Sequence, residues 1–160
     1  MISCGDDRQE LFLVENEVDF IIPVGLNTIE THVFVIQDVP TLYNENLSIF
    51  GVSESDVMSI SSGRGLLTGS FGEIDYDFID QLSVRIRSNT SPEFDREMFY
   101  REQIPFSHNG DLQLLSSISE LKEIISENTM DVEVRIRLRN FIPANLQAKL
   151  IFSYAVFDTN

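Results

Sequence analysis

Four carboxylates lie within a stretch of eight residues, at Glu73, Asp75, Asp77 and Asp80. Calcium takes several oxygen ligands at once, and carboxylates that converge from one loop can supply them. The spacing differs from that of an EF-hand loop, however, and the apolar residues between the acids indicate alternation, with the carboxylates facing water. Two interpretations therefore remain: a calcium site and a solvated run of acids.

A second candidate site is built from arginines. Five of the eleven basic residues occupy alternate positions of two separate segments: Arg85, Arg87, Arg135, Arg137 and Arg139. Guanidinium groups bind carboxylates, sulfates and phosphates through paired hydrogen bonds, so neighbouring strands would carry a stripe suited to an anionic ligand or partner. The alternative is that each arginine pairs with Glu or Asp on an adjacent strand and contributes a fraction of a kcal/mol.

A third candidate site lies in the segment 93–105, where Phe94, Phe99 and Tyr100 are interspersed with charged residues. Aromatic residues on a loop above a rigid scaffold can form a binding tip. The same segment could instead cover one open end of a sandwich and close its core, which would leave no large apolar patch exposed. The sequence leaves both interpretations open.

The residue types that usually carry catalysis are few and scattered. His32 and His108 lie in no catalytic motif, no serine lies in a Gly-x-Ser-x-Gly elbow, and the chain has a single cysteine. One cysteine and two separated histidines do not make a zinc site. We therefore assign no catalytic residue and no cofactor, and we expect a protein without enzymatic activity.

The elements that must position these residues follow from a period-two alternation of apolar and polar side chains, which is typical of strands with one wet face. The clearest strands are 81–87, 131–139 and 146–157; further strands are predicted at 12–14, 18–22, 28–39, 57–61 and 66–71. A glycine-rich turn is predicted at 62–65, and one helical turn lies in an irregular stretch at 41–50. A capping box, Ser117 with Glu120, precedes an apolar helical stripe. We predict an all-β, antiparallel β-sandwich from residue 10 to 160, with one short crossover helix near 118–127.

The net charge and the apolar content of the chain restrict the classes of partner that it can bind. The chain has 160 residues and a formal charge of -15, so it repels phosphate backbones and anionic membrane surfaces. We expect no nucleic-acid partner. No apolar run in the sequence approaches the roughly 20 residues that span a bilayer, so any membrane association must come from an attached lipid.

The N-terminus carries a possible lipid attachment site. Cys4 follows Met1-Ile2-Ser3 and precedes Gly5-Asp6-Asp7. This arrangement resembles the end of a bacterial lipoprotein signal, and a cysteine followed by glycine and two acids is similar to the export signal of Bacteroidetes surface lipoproteins. The resemblance implies acylation of Cys4, a tether over residues 1–9, and a location at the bacterial outer membrane, facing the periplasm or the outside.

These observations lead to three functional hypotheses. The first is a lipid-anchored, non-enzymatic binding or assembly module of a bacterial envelope, with an envelope protein or a glycan as its partner. The second is a small hydrolase that acts on envelope or extracellular glycans through paired carboxylates, which must lie at a defined separation in a cleft. The third is a structural subunit of an outer-membrane complex, which exposed Ile151 and Phe157 would favour if they form one patch.

Overall fold

The computed structural model describes residues 8–158, and its strands confirm the predicted all-β class. In chain order the elements are β1 (Glu10–Ile22), β2 (Thr31–Pro40), α1 (Tyr43–Phe50), a single 3-10 turn (Glu54–Asp56), β3 (Val57–Gly69), β4 (Ile79–Ser88), β5 (Asp95–Arg101), β6 (Leu112–Ser116), α2 (Lys122–Ile125), β7 (Thr129–Leu138) and β8 (Leu146–Asp158). In the part of the chain that the model covers, no helix has both the length and the apolar character to cross a membrane.

All strand pairs are antiparallel, and they form one eight-stranded sheet in the order β1-β8-β3-β6-β5-β4-β7-β2. The sheet folds over on itself into a nearly closed sandwich. Strand β6 makes the corner, since it pairs with β3 near Leu114 and with β5 near Leu115. The edge strands β1 and β2 meet at the remaining seam, where Asn16 Nδ2 donates to the carbonyl of Pro40 (3.3 Å).

The strand predictions at 81–87, 131–139 and 146–157 are confirmed as β4, β7 and β8. Their alternate apolar side chains point into the space between the two halves of the sheet, and the largest fully buried groups include Phe99, Phe152 and Tyr154. Because side chains of a strand alternate between its faces, the polar residues of β4 and β7 must lie on the outer face. The fold thereby places four of the predicted arginines on one surface.

Two predicted interruptions are absent. Residues 62–65 form no turn; they lie within β3, whose register against β8 shifts between Ser62 and Gly65. Glycine is needed at this bulge because a Cβ at Gly63 would lie 2.4 Å from Ser153 Oγ. Strand β1 is likewise continuous, because the inward polar residue that breaks its apolar pattern, Asn16, is satisfied by its hydrogen bond to Pro40.

The crossover helix forms within the predicted window but is shorter, at Lys122–Ile125. The predicted capping box is wrong: Ser117 Oγ donates to Glu97, and Glu120 Oε1 accepts the backbone N–H groups of Ile60 and Lys122, both at 2.9 Å. The irregular stretch after β2 forms a second helix, α1, which extends beyond the single turn that the sequence predicts. Its Phe50 stacks on Phe12 of β1, so α1 packs against the seam.

Glu127 lies between α2 and β7 and supports the turn between β4 and β5. Its carboxylate accepts hydrogen bonds from the hydroxyls of Ser88 and Thr90 and from the backbone N–H of Asn89 (3.2 Å). Burial by itself would raise the pKa of this carboxyl, but the hydrogen bonds outweigh it and hold the pKa below its ordinary value.

We expect the contribution of Glu127 to depend on pH. Because its pKa is lower in the folded chain, the ionised group stabilises the fold above the unfolded pKa, and the stabilisation is lost as the pH falls through the folded pKa. Glu127→Gln should lower the free energy of unfolding at neutral pH by about 1 kcal/mol, a value discounted for partial exposure. Urea unfolding of the unchanged protein and of Glu127→Gln, at neutral pH and at pH ~3, measures this difference in the free energy of unfolding. If the difference does not shrink in acid, the role assigned to the ionised Glu127 is contradicted.

Candidate binding site

The structure makes β4 and β7 neighbours, so the arginines of the two segments do lie together. In the register of this pair, Ser83 lies opposite Arg135 and Gln81 opposite Arg137. On the same pair, Arg85 lies opposite Glu133. The outer face of the two strands therefore mixes guanidinium groups with two carboxylates, Glu133 and Asp131, and neutral polar side chains.

Three of these arginines make ion pairs: Arg85 and Arg87 pair across strands, as the second interpretation of the stripe predicted, whereas Arg135 pairs within its own strand. Asp95 of β5 pairs with Arg85 (2.7 Å), and the nearly buried Glu133 pairs with both Arg87 (2.9 Å) and Arg135 (2.5 Å). Three guanidinium groups thus share two carboxylates, and a third carboxylate on the same face, Asp131, lies opposite Arg87.

The prediction that Arg139 belongs to the stripe is wrong. Arg139 follows the end of β7, and its Nη2 donates to the backbone carbonyls of Ile79 (2.7 Å) and Ile104. Its guanidinium also lies over the ring of Phe106, 4.3 Å from the centroid. These contacts tie the segment after β5 to the start of β4, so the residue has a structural role.

Arg137 behaves differently from the other members of the stripe. It is exposed, and no described residue accepts a hydrogen bond from it or pairs with its charge. Together with Arg135 it borders a shallow groove of about 300 Å³ on the outer face of the sheet. We call this groove the β4 valley; its floor is Ser83 and Gln81, one wall is Arg135 and Arg137, and the other is Glu97, Tyr100 and Glu102.

Strand order explains the shape of the β4 valley. Ser83 lies opposite Arg135 on one neighbouring strand and opposite Tyr100 on the other. Adjacent strands are roughly 4.8 Å apart, so the walls on β7 and β5 are separated by roughly 10 Å at the backbone. At Ser83 the floor is low, because serine is short while the flanking side chains are long. The wall on β7 is positive, and the wall on β5 is negative with one aromatic ring.

The segment 93–105 is not a loop; its middle forms β5. Phe99 is fully buried and Phe94 is partly buried against the core, so only Tyr100 of the three aromatics lines an outer surface. A register shift in the pairing with β4 turns the consecutive residues Met98 and Phe99 both inward. That broken alternation hid the strand in the sequence, and two adjacent large apolar residues were its only signal.

The four clustered acids do not converge. Within residues 8–158, no three carboxylate or imidazole groups lie close enough to hold one metal ion. Asp75 accepts the backbone N–H of Gly110 (2.6 Å), and it borders a separate cavity of about 430 Å³ together with Glu73 and Asp77. Asp80 lies in β4 and does not line that cavity. This arrangement does not support a calcium site.

The histidines contribute nothing to the β4 valley. His32 Nε2 lies 2.8 Å from the carbonyl of Asn27, and His108 Nε2 lies 3.0 Å from the carbonyl of Asp111. Each ring therefore bonds to backbone close to it in sequence, and neither lines the groove.

The opposite outer face carries a trough of about 500 Å³ over β1, β8, β3 and β6, lined by polar as well as apolar side chains. Leu13, which is 48% exposed, lines it together with Leu66 and Ile151, beside the glycine bulge of β3. Phe157 does not belong to it: six residues along β8 correspond to roughly 20 Å, and its ring lies under the guanidinium of Arg8. Ile151 and Phe157 therefore do not form one patch.

Taken together, the fold and the groove define an antiparallel β-sandwich that has a polar, oppositely charged valley on one face. No family model, no curated protein and no solved structure matches the chain significantly. The predicted lipidation site, Cys4, lies outside the described residues.

Proposed function

We propose that this protein is a non-enzymatic binding module of a bacterial envelope, anchored at the outer membrane by a lipid on Cys4, and that its β4 valley binds a glycan. The observation that carries the proposal is the placement of Tyr100 beside a low polar floor, between a wall of arginines and a wall of glutamates. The formal net charge of -15 disfavours a polyanionic nucleic acid as the partner.

The side chains of the valley match the chemistry of sugars. A sugar hydroxyl both donates and accepts hydrogen bonds, whereas guanidinium only donates and an ionised carboxylate only accepts. A groove with arginines on one wall and glutamates on the other can therefore both donate hydrogen bonds to sugar hydroxyls and accept hydrogen bonds from them. A tyrosine ring offers an apolar face for the C–H side of a sugar ring and a hydroxyl at its tip.

The valley favours binding over hydrolysis. A glycosidase needs two carboxyl groups that flank the scissile bond, one on each side. Glu97 lies in β5 and Glu102 directly follows it, while the charged residues of the opposite wall are Arg135 and Arg137. The two carboxylates therefore lie on one side of the groove, which supports the non-enzymatic hypothesis over the hydrolase.

We expect Ser83→Phe to abolish glycan binding, because a ring on the floor would fill the groove. The outward-facing position should tolerate the ring without loss of fold. Affinity electrophoresis in gels that contain dextran, xylan, alginate or polygalacturonate measures the effect. Gln147→Phe, an exposed position on the other half of the sheet, is the matched control and should migrate like the unchanged protein. The proposal fails if none of these polysaccharides retards the unchanged protein, or if Ser83→Phe is retarded equally.

The anchor is tested separately. Labelled palmitate should be incorporated into the protein when it is produced with its export signal in a bacterial host, and Cys4→Ala should abolish incorporation. Two or three acyl chains would hold the protein firmly, whereas one binds a membrane only marginally. Label that survives the substitution would remove the anchor from the proposal and leave the valley untouched.

The trough on the opposite outer face favours a second role, docking to a larger envelope complex. The specific observation is that exposed Leu13 and the partly buried Leu66 and Ile151 line it together, since apolar side chains accessible on a surface often mark interaction sites. The trough and the β4 valley lie on different faces. Ser83→Phe therefore separates the two roles, because it should block glycan binding without affecting docking.

A further inference from the structure

We propose that the β4 valley selects acidic saccharides, and that Arg137 binds the carboxylate of a uronate residue in the glycan. This inference rests on the proposed glycan binding and adds the chemical class of the ligand. It starts from a difference among the arginines of one surface: carboxylates engage three of them, and no carboxylate among residues 8–158 engages the fourth, Arg137.

Carboxylates of the protein already occupy part of the donor capacity of the engaged arginines. Arg85 and Arg87 lie beyond the valley, and Asp95 and Glu133 pair with them at 2.7 and 2.9 Å. Arg135 lies in the valley, and its Nε donates to Glu133 (2.5 Å). No described group accepts from the terminal nitrogens of Arg135, so these donors remain for a ligand.

Arg137 has its full charge and all its donors available among the residues that the structure describes. Its cross-strand neighbours are neutral, Thr31 on β2 and Gln81 on β4. Arg135 lies two residues away on the same face, roughly 7 Å along the strand. A guanidinium presents a planar fork that matches the two oxygens of a carboxylate, and an unpaired one in a groove is the strongest anion-binding group on this surface.

The opposite wall orients the ligand. Glu97 and Glu102 would repel an anion on the side of β5, and Glu97 is held in place by a hydrogen bond from Ser117 Oγ (2.6 Å). An acidic sugar must therefore place its carboxylate towards β7 and its hydroxyls towards β5. The groove volume is at the lower end of small-ligand pockets, which suits a segment of about two sugars with one acid group.

The test uses cellobiuronic acid, a disaccharide with one glucuronate, together with its uncharged methyl ester and cellobiose, which has no carboxyl group. Titration by calorimetry or by NMR chemical shifts measures the affinity of the full chain for each. The unchanged protein should bind the acid about tenfold or more tightly than the ester. Arg137→Gln should weaken binding of the acid by about the same factor and leave the ester unchanged. Arg137→Lys keeps the charge but loses the planar fork of the guanidinium. Its affinity for the acid should lie between that of the unchanged protein and that of Arg137→Gln.

Arg64→Gln is the matched control, since Arg64 is an exposed arginine on the opposite face. Its affinity for the acid should equal that of the unchanged protein. Equal affinity of the unchanged protein for acid and ester, or equal losses in Arg64→Gln and Arg137→Gln, would overturn the inference and leave glycan binding standing. The inference is also overturned if neutral polysaccharides retard the unchanged protein in the gel but the protein does not bind cellobiuronic acid. If the unchanged protein binds none of the saccharides in either experiment, the proposed function itself is overturned.

Discussion

Phe99→Ala should lower the free energy of unfolding by about 3–5 kcal/mol, the usual cost of deleting a fully buried aromatic ring from a core. The ring has no exposed surface, and it lies where β5 meets the corner strand β6. A Cβ placed on Gly65 would lie only 2.9 Å from it, so β3 packs closely against the ring. Backbone held in a sheet cannot collapse into the resulting cavity, which keeps the cost high.

Chemical denaturation of Phe99→Ala measures this loss, and Tyr100→Ala is its matched control. The two residues are adjacent, but Tyr100 lines the outer groove and Phe99 does not. We expect Tyr100→Ala to cost less stability than Phe99→Ala and to weaken glycan binding by about tenfold, as loss of an aromatic contact does. Native stability with weakened binding in Phe99→Ala would restore the binding-tip interpretation of this segment.

Glu133→Gln should have two effects of opposite sign. It removes the carboxylate that Arg87 and Arg135 share, and breaking a buried ion pair typically costs about 3–5 kcal/mol. Both arginines keep more than a third of their side-chain surface exposed and can regain water, so we expect a smaller loss of about 2 kcal/mol. The release of Arg135 should at the same time tighten the binding of cellobiuronic acid.

Urea unfolding and titration of the same protein sample measure both effects. Glu17→Gln is the control, because its carboxylate is 61% exposed and pairs only with Lys149 at 3.2 Å. An exposed pair of this kind contributes less than about 1 kcal/mol. If Glu133→Gln and Glu17→Gln lose the same stability, the shared carboxylate does not hold the arginine surface together.

The sequence could predict the fold class and several strands because strand side chains alternate between two faces whatever their neighbours are. That local rule placed β4, β7 and β8, and it also placed Arg135 and Arg137 outward. It failed at two of the register shifts, one in β3 and one between β4 and β5. The glycines at 63 and 65 were interpreted as a turn, and the segment that contains Met98 and Phe99 as a loop or a cover over the end of the sandwich, because a bulge removes the alternation on which the rule depends.

The candidate site could be predicted only in parts. Outward arginines and an aromatic cluster were visible in the sequence, but the valley needs β4 between β5 and β7, with Ser83 opposite both Tyr100 and Arg135. Strand order and register bring together residues far apart in the chain, and local alternation carries no information about which strand pairs with which. The chain by itself therefore determined which face the side chains of regularly alternating strands occupy. Only the tertiary structure decided that Arg137 lies beside a groove with no partner among the described residues, because pairing depends on contacts between distant strands.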